Sequence, residues 1–147
     1  WGSTNPIYGG TGSGSLSKDN PTTTLLDGLH NAGFTTNDEL TNLYTSYRAE
    51  RPEVGMFKAD WSLPEPTQDK YSESLLSGAT SFGDTAVVTI ARSGGEGFDL
   101  PRDVNAETSN NPYFSYTNNS DEYADFEDGQ GYLELTRPEK DMIELAK

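Results

Sequence analysis

No cysteine occurs anywhere in the chain, so disulfide cross-links, a thiol nucleophile and cysteine-ligated zinc are all excluded. Histidine is nearly as scarce. His30 is the single one among 147 residues, which removes multi-histidine metal sites and lets a Ser-His-Asp triad form only through that one ring. Positive charge is also in short supply: 10 Lys and Arg stand against 24 Asp and Glu, for a formal net charge of −14, and the basic residues are scattered. Nucleic acids and anionic membranes call for clustered Lys and Arg, so neutral or cationic ligands are expected instead. Apolar residues make up only 32% of the chain, and no run of them approaches the length of a membrane span. Nothing at the start resembles a signal peptide.

What is present is concentrated in one stretch, Asp84-Thr85-Ala86-Val87-Val88-Thr89-Ile90-Ala91-Arg92-Ser93-Gly94-Gly95-Glu96-Gly97-Phe98-Asp99. A run of apolar, β-branched residues ends in a glycine-rich loop carrying an arginine and two carboxylates. That pattern predicts a buried parallel strand, Thr85–Ala91, delivering polar groups to the carboxyl edge of a sheet. Around it, residues 1–21 read as a Gly/Ser-rich loop. A helix is predicted over Thr22–Ala32 with Gly33 beyond its end, and a second from the Thr36-Asn37 cap to about Glu50. Residues 52–67 read as an irregular segment laid against a core, and 69–82 as a third helix closed by Gly83. Residues 100–131 read as a long polar loop insertion, of a length that is usually functional or mobile. Thr136-Arg137-Pro138-Glu139 then fits the opening of a last helix, with threonine as N-cap and glutamate three residues on. The alternation of helix, turn, strand and loop predicts an α/β fold: an open sheet flanked by helices, a three-layer sandwich left incomplete. All of residues 1–147 read as a single domain fragment, because apolar segments are few and the chain stops inside the last helix.

Several motifs are too incomplete to carry chemistry. Gly9-Gly10-Thr11-Gly12-Ser13-Gly14-Ser15 lacks the lysine of a phosphate loop, since Lys18 stands four residues past Gly14. Ser13 and Ser15 break the dinucleotide spacing, and no apolar strand precedes the motif. A flexible linker and a loop approaching a ligand backbone-first remain. Ser15-Leu16-Ser17-Lys18 matches an acyl-enzyme motif without its companions. His30 falls near a predicted helix C-terminus, where a partly charged imidazole favours the dipole. Asp121, Glu122, Asp125, Glu127 and Asp128 do not have calcium-loop spacing and read as a solvated acidic loop. Asn118-Asn119-Ser120 is a glycosylation sequon in form. Glu96 and Asp99 sit too close on one loop to flank a sugar ring. They read as groups that grip hydroxyls or pair with Arg92, with a purely structural turn as the alternative.

Taken in order, these elements resemble the α/β-sandwich domain of glycoside hydrolase family 3, the β-glucosidase type. The quoted residues are the Gly9–Ser15 loop, the helix around Thr24-Leu25-Leu26-Asp27-Gly28-Leu29, and the Asp84–Arg92 strand with its loop. Gly131-Tyr132-Leu133-Glu134-Leu135-Thr136 and the last helix follow as the family's next segment does. The family's serine before Gly-Glu-Gly is shifted here, giving Ser93-Gly94-Gly95-Glu96-Gly97. The resemblance implies exo-acting, retaining hydrolysis of terminal β-linked sugars, a β-glucoside or short β-linked oligosaccharide as ligand, and no cofactor or metal. It implies sugar contacts from Arg92, Ser93, Glu96, Asp99, Gly12 and Ser13. In the family the nucleophile belongs to a separate β/α barrel and the acid/base glutamate to a later loop, so this stretch is expected to line a pocket and hold neither catalytic carboxylate. The other reading is a non-catalytic α/β binding or scaffolding module. Nucleotide binding at Gly9–Ser15 is a third.

Overall fold

The computed structural model describes residues 21–47, 59–92, 94 and 99–147 of the chain. Along them run helices α1 (Leu25–Asn31), α2 (Asp38–Ser46), α3 (Glu73–Phe82), α4 (Val104–Asn110) and α5 (Arg137–Leu145). Two short strands, β1 (Ala59–Asp60) and β2 (Phe114–Ser115), and a 3-10 turn at Gln68–Lys70 complete the set. Every one of these α-helices opens on a polar cap. Thr24, Asn37, Ser72, Asp103 and Thr136 each accept the backbone N–H three residues on, satisfying a donor the first helical turn leaves without a partner. At α1 and α5 the cap is reciprocal, because Asp27 and Glu139 reach back to the threonine N–H. Gly33 follows α1 at φ +87°, the left-handed conformation that ends a helix, and Phe34 N–H closes onto the Leu29 carbonyl at 3.0 Å.

The expected open sheet flanked by helices is not formed among the described residues. β1 and β2 pair in parallel over two residues each, Ala59 beside Phe114 and Asp60 beside Ser115, and one further bond joins Trp61 N–H to the Ser115 carbonyl at 2.9 Å. Thr85–Ala91 joins no ladder among the described residues, and Val87 is 66% exposed. The physical reason is that a β-branched run states a preference, whereas a strand exists only beside a partner that supplies its hydrogen bonds. An α/β sandwich is therefore replaced by a mostly helical arrangement around an aromatic cluster.

That cluster is built from Trp61, Val104, Phe114, Phe126 and Tyr132, with Tyr116 against it. Trp61 stacks on Phe114 at 6.0 Å between ring centroids and meets Tyr132 edge-on at 5.7 Å. The Tyr132 hydroxyl donates to the Trp61 carbonyl at 2.8 Å, so the ring's polar tip is satisfied in the interior. Val104, Phe114 and Phe126 all come from residues 100–131, expected as a polar insertion. The apolar residues there are too widely spaced to show periodicity, yet tertiary contact gathers them, and α4 and β2 form within the stretch. Of the segment 52–67 expected to lie irregularly against a core, Trp61–Thr67 is buried throughout, Ala59–Asp60 forms β1, and residues 52–58 lie outside the described residues.

Helices α1, α2 and α3 bury no side chain completely. α2 packs on α3, and the Tyr44 hydroxyl meets that of Tyr71 at 2.7 Å and Met142 Sδ of α5 at 3.1 Å. No helix among the described residues is long and apolar enough to cross a membrane.

Candidate functional site

Arg92 lies where the Thr85–Ala91 run meets the glycine-rich loop, and Glu139 is the third residue of α5. Their side chains form a two-pronged ion pair, Nη1 to Oε1 at 2.5 Å and Nη2 to Oε2 at 2.8 Å. Glu139 is 1% exposed, its Oε2 also accepts the Thr136 N–H, and the α5 N-terminus adds favourable field. The remaining guanidinium donors go to backbone. Nε donates to the Tyr132 carbonyl, Nη1 to that of Ala91 and Nη2 to that of Glu134, at 2.7, 2.7 and 2.5 Å. All five N–H groups of the fork are thereby used, and the group also lies over the Tyr132 ring at 5.8 Å. Burial opposes the charge on Arg92, but the bonds and charge of Glu139 more than offset it and hold the guanidinium above its ordinary value.

A second polar knot sits beside it. Asp125 is 1% exposed and accepts from the Tyr116 hydroxyl at 2.8 Å, from Asn119 N–H at 3.0 Å and from Asn119 Nδ2 at 2.8 Å. Its own N–H donates to Asn118 Oδ1 at 2.9 Å, which pins the loop between them. Asn119 then bridges to the buried segment, donating to the Leu63 carbonyl at 3.2 Å and accepting the Glu65 N–H at 3.0 Å. Burial, and then the neighbouring Asp125 charge, push the Tyr116 hydroxyl well above its usual range, so it stays a donor. A cavity of about 10 Å³ lies between the two knots, lined by Glu65, Arg92, Tyr116, Asn119 and Glu139 among others.

On another face, a cleft of about 430 Å³ is lined by Asp99, Arg102, Asp103, Glu107 and Asn111 over a floor that includes Trp61 and Phe114. Asp103 Oδ1 is committed to capping α4, and Glu107 Oε2 accepts from Asn111 Nδ2 at 3.0 Å. Asp99 is exposed on the cleft wall. Carboxylates, an amide and a guanidinium over an apolar floor are groups that can exchange hydrogen bonds with a polyhydroxylated ligand. Among the described residues no group of three or more Asp, Glu or His could hold a metal ion.

Of the six residues expected to touch sugar, the structure places Arg92 at the root of the loop and Asp99 on the cleft, while Gly12, Ser13, Ser93 and Glu96 lie outside the described residues. His30 is at the end of α1, its Nε2 at 2.8 Å from Thr36 Oγ1, in keeping with a structural role. The acidic stretch needs one correction. Asp121, Glu122, Glu127 and Asp128 are exposed as expected, but Asp125 is a buried acceptor. The sequence signal was the direct Asp125-Phe126 neighbourhood, an anion tied to a core aromatic. Glu65, flanked by Pro64 and Pro66, passed unnoticed because nothing local shows that a proline-rich stretch is fully covered.

Comparison with known proteins fits this chemistry in part. The chain is similar to a stretch of a β-glucosidase. The match is 34% identical over 90 residues, to a β-glucosidase of Ruminococcus albus, and takes in 59% of this chain. The chain spans only 9% of the length of that relative. No family model and no solved structure matches it.

Proposed function

We propose that this chain is a piece of a family 3 glycoside hydrolase of the β-glucosidase type, forming part of the wall of a pocket where terminal β-linked sugars are cleaved. The observation that carries the reading is the 34% identity to a β-glucosidase over 90 residues. The two glycine-rich sequence motifs, Gly9–Ser15 and Arg92–Asp99, point the same way. Hydroxyl groups would be met by Asp99 and by Ser93, Glu96, Gly12 and Ser13. Arg92, whose donors are all engaged within the chain, would set the position of the loop that begins at Ser93. Retaining hydrolysis needs a nucleophilic carboxylate and an acid/base carboxylate about 5 Å apart. In this reading both come from other parts of the enzyme, the nucleophile from a β/α barrel.

The test is turnover of an aryl β-glucoside by the chain alone, by the rest of the enzyme, and by the two combined. Silence from each alone and activity on combination is the expected outcome. Turnover by the isolated chain would remove catalysis from outside it and overturn the assignment. In the combined enzyme, Asp99→Asn and Glu96→Gln are expected to raise KM, since each deletes an ionised acceptor for sugar hydroxyls.

One observation favours a second reading, a non-catalytic binding or scaffolding module: every donor of Arg92 is turned inward. Silence in all three assays, with the two pieces shown to associate, would select it.

A further inference from the structure

Glu65 stands between two fully buried prolines, Pro64 and Pro66, and is itself only 4% exposed. Neither of its carboxylate oxygens has a hydrogen-bond partner. It lines the small cavity beside Arg92, Tyr116, Asn119, Thr136 and Glu139, where the volume of about 10 Å³ leaves room for a single water at most. The guanidinium in this cluster is fully taken up by Glu139 and three backbone carbonyls. Asp125 and Glu139 are two further carboxylates, each held by its own donors. An ionised Glu65 would thus add a third buried negative charge beside a guanidinium that is already engaged, and the fixed ring geometry of its proline neighbours limits local adjustment.

We propose that Glu65 is a proton-operated latch: as the neutral acid it lets residues 61–67 lie against the Arg92–Glu139 pair, and as the carboxylate it drives that segment out of the core. The charged and titratable groups that act on it are the chain's amino-terminal charge, Arg92, Glu139 of α5, Asp125 and Tyr116 of the loop after β2, Tyr44 of α2 and Tyr71 ahead of α3. Burial first, then the charges of Glu139 and Asp125, push its carboxyl up from 4.5 to about 7, against the pull of the amino-terminal charge and of Arg92. The sign follows from linkage. A folded-state pKa raised above the unfolded value leaves stability intact below 4.5, lowers it as pH climbs toward about 7, and leaves the loss in place above that. This is opposite to an ordinary paired carboxylate, which loses stability as pH falls. The latch rests on the packing of Glu65 and holds whether or not the chain takes part in sugar hydrolysis.

Trp61 supplies the reporter, because it is 0% exposed and shares the segment, and Trp1→Phe leaves it as the one tryptophan in the chain. In the full chain carrying Trp1→Phe, emission is expected to be blue-shifted at about pH 5 and to move to the red with a midpoint near 7. Adding Glu65→Gln, which mimics the neutral acid, is expected to hold the emission blue across the range. Emission that stays constant from acid to alkaline pH in the parent chain overturns the latch, as does a transition that survives in the Gln variant. If the Gln variant does not fold, the infrared spectrum of the unsubstituted chain decides. A protonated-carboxyl carbonyl band that persists at about pH 6, where exposed carboxyls are ionised, supports the latch, and its absence rejects it.

Discussion

The segment 61–67 and Arg92 together with residues 101–142, and the helices α1 to α3, are held by different kinds of contact. In the first, partners are far apart in sequence: Tyr132 binds the Trp61 carbonyl across 71 residues, and Arg92 reaches Glu139 across 47. In the second, the bonds are nearly all local, caps and ladders a few residues long, and no side chain is fully buried. Short helices with little tertiary burial are marginal on their own in water. Cooperative stability should therefore reside in the aromatic and ionic cluster, with α1 to α3 opening at lower free energy.

The largest effect is expected at Arg92. Arg92→Met leaves Glu139 buried without its counter-charge and three carbonyls without a donor, a loss of about 3–5 kcal/mol. Against a domain stability of about 5–15 kcal/mol, that is about a fifth of the total or more, read as a lower urea midpoint. The double variant Arg92→Met with Glu139→Met is expected to regain part of that loss, since both charges leave the interior together. A double variant no more stable than Arg92→Met would mean that the three backbone carbonyls, and not the ion pair, carry the effect.

Asn119 comes next. Its amide links Leu63, Glu65 and Asp125, so Asn119→Ala leaves three buried polar groups short of a partner. A destabilisation of about 2–3 kcal/mol is expected, read as a lower urea midpoint with an unchanged slope. Asn118→Ala deletes only the acceptor for one N–H and should cost about 1 kcal/mol. Equal effects at the two positions would dissolve the idea that Asn119 is the bridge between loop and segment.

The same division explains what was legible in the sequence. Asn37 and Thr136 announce their helices because capping involves residues three apart, and the structure keeps both, whereas the first helix opens at Thr24 and not at Thr22 as expected. Gly33 marks its helix end for a similar local reason. Thr85–Ala91 misled because strand formation depends on a neighbour that the run itself does not specify. The core contributions of Val104, Phe114 and Phe126 and the burial of Glu65 and Asp125 were invisible for the complementary reason: each is set by contacts tens of residues away. Arg92 and Asp99 stood out in the sequence as candidates, but Glu139 did not stand out as the partner that engages Arg92. Glu139 had already been explained as half of a capping box, and a residue with one sufficient role hides a second.

The two capping boxes allow the contrast between regions to be tested with one chemical change. Thr136→Ala and Thr24→Ala each remove a hydroxyl acceptor from an N3 N–H, a change worth about 1 kcal/mol in either setting. Thr136 is 4% exposed and its helix carries Glu139, so its loss should lower the global transition and speed hydrogen exchange at Trp61, Val104 and Tyr132 together. Thr24 caps a seven-residue helix with no buried side chain, so exchange should quicken at Gly28 and Ala32 while the core amides stay unchanged. Equal slowing or quickening at both sets of amides would show that α1 and the aromatic cluster open as one unit. The smallest effect is expected at Val87→Thr. With the side chain 66% exposed and no strand partner among the described residues, the change should fall within about 0.5 kcal/mol of zero. A loss of 2 kcal/mol or more, of the size of a core truncation, would place Val87 in a buried sheet and reverse the division between the two regions.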